Sequence, residues 1–133
     1  MPYVIGLVLS LGVAIFARVV GLDRERAFYA TVLIVVASYY VVFTAVGGES
    51  ANTLLLELLP MTAFVVTAVI GFRSSEWIIV GGLAGHGVFD AVHGYVIHNS
   101  GVPASWPAFC GAYDVGAAIW LAWLMKMRTH DRR

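Results

Sequence analysis

Six side chains able to bind a metal or carry a proton lie inside the long apolar runs of this sequence: Glu57, His86, Asp90, His93, Cys110 and Asp114. Their spacing is helical. At about 100° per residue, His86, Asp90 and His93 fall within roughly 60° of one another on one helix face. Cys110 and Asp114 share a face at i, i+4 spacing. Carboxylates, imidazoles and a thiol in one apolar setting point to a divalent transition metal, zinc or iron. Such an ion neutralises the carboxylates and accepts neutral imidazole as a ligand. Asp90-x-x-His93 also has the i, i+3 spacing with which helical di-iron carboxylate bundles turn a carboxylate and a histidine inward.

Asp90, His93 and Asp114 are the expected ligands, with Glu57 as a further ligand or a general base and Cys110 as a thiolate ligand. His86 lies about 10.5 Å along the helix axis from His93, too far to share one ion comfortably. It is expected to bind a second ion, to relay protons more deeply, or to orient Asp90. The polar atoms of Asp90, His93, Asp114 and Glu57 are expected within about 5 Å of a common point. The structural alternative is that Glu57 and Asp114 are protonated and hydrogen-bonded across helices, and that Cys110 is a small buried residue.

The elements that must hold these groups follow from composition. Of 133 residues, 60% are hydrophobic and 12% charged, too little polar surface for a soluble domain. Five apolar runs, 3–22, 26–47, 51–72, 76–98 and 107–126, are each about 20 residues long, enough to cross a hydrocarbon core of roughly 30 Å. Runs such as Leu7–Ile15 and Val32–Val46 are apolar on all sides rather than on one stripe, which excludes a soluble helical bundle. The expectation is therefore an all-α single domain of five transmembrane helices with the lipid bilayer as its partner. The first run has no basic start and no small-x-small site after it, so it is read as a retained span rather than a signal peptide. The single cysteine excludes an internal disulfide, and zero formal net charge without a basic stripe gives no nucleic-acid signature.

Charge placement sets the expected orientation. All eight Lys and Arg residues lie around the first hinge (Arg18, Arg24, Arg26), in the third (Arg73) or after the last helix (Lys126, Arg128, Arg132, Arg133). Basic residues stay in the cytoplasm, so the amino terminus is expected outside and the carboxyl terminus inside. Counted from the outer ends, Glu57 is about six residues deep, Asp90 about eight, His93 about five, Asp114 about seven and Cys110 about three. Tyr40 and Ser10 come from the other two helices at similar depth. Gly81, Gly82, Gly85, Gly87 and Gly94 leave the fourth helix little bulk, so it is expected at the centre of the bundle.

The run His86-Gly-Val-Phe-Asp90-Ala-Val-His93, then Gly101-Val-Pro103, then Cys110-Gly-Ala-Tyr-Asp114, resembles a small family of bacterial integral membrane proteins of unassigned function. That family carries an H-x-x-x-D-x-x-H helix and C-x-x-x-D in the last helix. Its members commonly have a second histidine where this chain has Gly94. The resemblance supports the site, fits an inner (plasma) membrane and lends no reaction. Two functional classes remain: a metalloprotein, in its fullest form an enzyme acting on a small or lipophilic substrate from the outer leaflet, and a proton- or cation-coupled transporter. Five helices lack the internal repeat of many transporters, a symmetry that a homo-oligomer would supply.

Overall fold

The computed structural model describes residues 1–133 and contains helices joined by short hinges, without strands. The helices are α1 (Pro2–Val20), α2 (Ala27–Val46), α3 (Ala51–Arg73), α4 (Glu76–Val96) and α5 (Trp106–Asp131), with a 3₁₀ turn at Leu22–Arg24. Local chemistry places the ends. α1 stops two residues before the expected point because Gly21 adopts φ 89°, and its N–H closes on the Ala17 carbonyl. Ser50 and Ser75 cap α3 and α4 by accepting the N–H of Thr53 and Trp77. α5 runs five residues beyond its expected end, carrying Arg128 and His130 in its last turn, where cations complement the helix dipole.

Four helices, α1, α2, α3 and α5, are long and apolar enough to cross a membrane. α4 falls outside that set, since its length is interrupted by His86, Asp90, His93 and a run of glycines. Much of the surface is apolar, with residues such as Val8, Leu59, Val88 and Ile119 exposed. The interior combines an apolar core around Leu33, Leu83 and Leu121 with the polar residues Ser10, Thr44, Glu57, His86, Asp90, His93 and Asp114. A distribution of this kind suits lipid as the solvent, because isolated ionisable groups are costly in hydrocarbon and turn inward.

Neighbour order around the bundle is α1, α5, α4, α3, α2. α4 and α5 form the most extensive pair, and α1 packs on α5 through the small residues Gly6, Ser10, Ala14 and Ala17. Ser10 rests against Gly116, so it is placed away from the acidic residues. Consecutive helices α1 and α2 barely touch, which leaves the arc open between them. At one end, Arg128 bonds Glu76 (3.1 Å) and the Asp23 carbonyl, and Arg26 bonds the Ser74 carbonyl (3.0 Å). At the other, the Ser100 hydroxyl and N–H meet Glu49, and Gly47 lies against Gly101.

Candidate metal centre

The site begins with a close approach of two helices. A Cβ on Gly87 of α4 would come 3.2 Å from the Gly111 carbonyl of α5 and 3.0 Å from Val115 Cγ2. Glycine at this level brings the helices near enough for short side chains to meet across the gap. His86 and Asp90 on α4, with Cys110 and Asp114 on α5, then offer four ligand atoms that all lie within 4.8 Å of one another. All four residues are buried, Asp114 completely and Cys110 to 2% exposure.

Within this group His86 Nδ1 lies 2.6 Å from Asp114 Oδ2 and 3.5 Å from Asp90 Oδ2. Cys110 Sγ is 3.8 Å from Asp114 Oδ2, and Tyr40 donates to Asp90 Oδ1 at 2.6 Å. Asp90 Oδ2 and Asp114 Oδ1 are buried without a hydrogen-bond partner. Unpaired carboxylate oxygens closed off from water are costly. The unpaired Asp90 Oδ2 and the Asp114 Oδ2 that faces both His86 and Cys110 are the oxygens through which a cation would be held.

The fit can be tested by distance. Ligands about 2.1 Å from a tetrahedral ion stand about 3.4 Å apart. The His86–Asp90 separation of 3.5 Å meets this, and the Cys110–Asp114 separation of 3.8 Å is close to it. The His86–Asp114 separation of 2.6 Å is that of a hydrogen bond. An ion using both atoms would displace the shared proton and widen that pair by roughly 1 Å.

His93 and Glu57 stand apart from this group. His93 Nε2 is 2.7 Å from Glu57 Oε1, and Asn99 donates to the same oxygen at 2.8 Å and to Thr44 Oγ1 at 2.9 Å. The expected single point for Asp90, His93, Asp114 and Glu57 is thus replaced by two adjacent groups. His86, expected to be deeper or auxiliary, belongs with Asp90 and Asp114, while His93 pairs with Glu57 from α3. The reason is the position of α4 between α5 and α3. Its polar face is wide enough for His86 and Asp90 to reach one neighbour and His93 the other.

Tyr40 joins the two groups. Its hydroxyl holds Asp90, and its ring stacks on His93 with centroids 3.8 Å apart and planes at 14°. The Phe64 ring meets His86 edge-on at 4.8 Å, and Phe89 packs against both histidines. Sequence reasoning noted Tyr40 only for its depth and gave no role to Thr44 or Asn99. Tyr40 and Thr44 are a polar i, i+4 pair on an apolar helix, a signal that was legible. Asn99 reads as turn chemistry, and only the folded hinge brings its amide to Glu57. No protein-family model, curated protein or solved structure matches this chain.

Proposed function

We propose that this protein is a membrane-embedded metalloprotein, with one divalent transition ion held by three of His86, Asp90, Cys110 and Asp114, and that it is an enzyme whose small or lipophilic substrate takes the remaining position. The carrying observation is the four-residue group with ligand atoms within 4.8 Å of one another. With two carboxylates ionised and the imidazole neutral, the group carries two negative charges before the thiol ionises, in a place closed to water. A divalent ion offsets that charge, and partners of opposite charge are what buried charges require. The mixed nitrogen, sulfur and oxygen set suits zinc best, and a thiolate formed on binding would argue against an oxygen-activating iron site. A bound zinc ion would supply Lewis acidity there.

This chain's own residues would then divide the work. Tyr40 fixes one oxygen of Asp90 and leaves the other directed at the group. Glu57 and His93, hydrogen-bonded to each other and reached from the hinge by Asn99, form a proton-carrying pair on the outer side. The one-sided basic residues support five crossings, with the amino terminus outside and the carboxyl terminus in the cytoplasm.

A proton-relay reading has one observation in its favour. Polar groups succeed one another from Asn99 through Glu57 and His93 to Tyr40, Asp90, His86 and Asp114. Elemental analysis of protein purified without chelator separates the two. The metal reading expects about one zinc per chain, lost in His86→Ala and Asp114→Asn and kept in His93→Gln. A folded, metal-free preparation after zinc supplementation would sink the metal reading and favour the relay.

A further inference from the structure

The opening between α1 and α2 is a groove of about 940 Å³. It exists because α1 is committed to α5 and α2 to α3, while Gly21 and the 3₁₀ turn join them at one end only. Its walls are apolar, with Leu9 and Val13 on α1, Val32 and Val36 on α2, and Phe109 and Cys110 on α5 as the floor. Along α2 the lining runs from Ala27 to Tyr39, about 18 Å at about 1.5 Å per residue. Apolar lining sustained over that length suits extended alkyl chains.

Its closed end, at the turn, is charged. Arg24 and Glu25 both line the groove, both are exposed, and neither enters an ion pair. The neighbouring charges are already engaged: Arg18 faces Asp23 at 3.7 Å and Arg26 holds the Ser74 carbonyl. An unpaired guanidinium and an unpaired carboxylate on consecutive residues, at the end of an alkyl-lined groove, complement a head that carries both a phosphate and an ammonium group. Guanidinium matches phosphate oxygens, and a carboxylate takes hydrogen bonds from a primary ammonium.

We propose that this groove binds an amine-bearing zwitterionic phospholipid, its phosphate on Arg24, its ammonium on Glu25 and its alkyl chains along α2 toward Cys110. Cys110 belongs both to the groove lining and to the four-residue group, so the chain, rather than the head, is delivered to the group. Lipid binding stands by itself; only the delivery of substrate rests on the metal-site reading above.

The test uses the full chain in nanodiscs doped with phospholipids that carry a photoactivatable group in the acyl chain, on either a phosphoethanolamine or a phosphoglycerol head, with adducts mapped by mass spectrometry. The phosphoethanolamine probe should mark Val36, Tyr39 and Phe109 several-fold above the exposed Leu59 of α3. Glu25→Gln and Arg24→Gln should each reduce that excess by about two- to fivefold, as for a solvent-facing ion pair, with metal content unchanged. Equal marking by both heads, even marking around the bundle, or cross-links between two copies of the chain at these positions would overturn the proposal. Groove marking in folded protein that stays metal-free after zinc supplementation would uphold the lipid site and count against the metal reading alone.

Discussion

Tyr40→Phe removes one oxygen atom from the interior and leaves the ring. In the native protein that oxygen donates to Asp90 Oδ1 at 2.6 Å, and the residue is 2% exposed. The stack on His93 at 3.8 Å and the edge contact with Phe89 at 5.8 Å do not involve it. A hydrogen bond to a charged acceptor is worth about 1.5–3 kcal/mol, and with tenfold per 1.4 kcal/mol this corresponds to a loss of about 10- to 100-fold in zinc affinity. The same range is typical when a residue that orients a metal ligand is removed. Competition titration with a chromophoric chelator in detergent measures it directly. His93→Gln, at the residue stacked on the same tyrosine's ring, should change zinc affinity by less than about threefold, because His93 pairs with Glu57 rather than with the ion. Unchanged zinc affinity in Tyr40→Phe, or a larger effect from His93→Gln, would refute the division into two groups.

Two further outcomes follow from the packing and the charge pattern. Gly87→Val should cost about 1–3 kcal/mol in unfolding experiments and abolish zinc retention, since its side chain meets Val115 and the Gly111 carbonyl at the level of the ligands. Gly94→Ala, with nothing within 4 Å of its added methyl, should leave zinc retention intact and raise stability by up to about 1 kcal/mol. Ser50→Cys and Ser100→Cys should react with an impermeant maleimide on intact cells, and Ser74→Cys only after permeabilisation. Cys110 is buried and gives little background in this assay. Equal labelling of Ser74→Cys and Ser100→Cys would remove the five-span topology.

Much of the fold is visible in residue order because a helix in an apolar solvent must be apolar nearly all round and about 20 residues long. Those two requirements locate the helices to within a few residues, apart from the α5 extension, which polar residues such as Arg128 carry beyond the apolar run. Axial spacing does the same for part of the site. The i, i+4 intervals of His86 with Asp90 and of Cys110 with Asp114 set each pair on one face, and the structure brings these two pairs together.

Azimuth between helices is a different quantity, and only the tertiary structure decides it. Equal depth placed Glu57, Asp90, His93 and Asp114 at one level, yet depth does not say on which side of α4 each neighbour stands. With α5 on one flank and α3 on the other, His86 is drawn to Asp114 and His93 to Glu57, and Tyr40 from α2 fills the space between. The groove arises in the same way. Consecutive helices are usually neighbours, but the small-residue stripe of α1 commits it to α5, and α2 packs on α3. Helical period fixes where a side chain lies on its own helix. Which helix it meets follows from the close packing of small residues such as Gly87 against Gly111, a contact between segments that are separate in the chain.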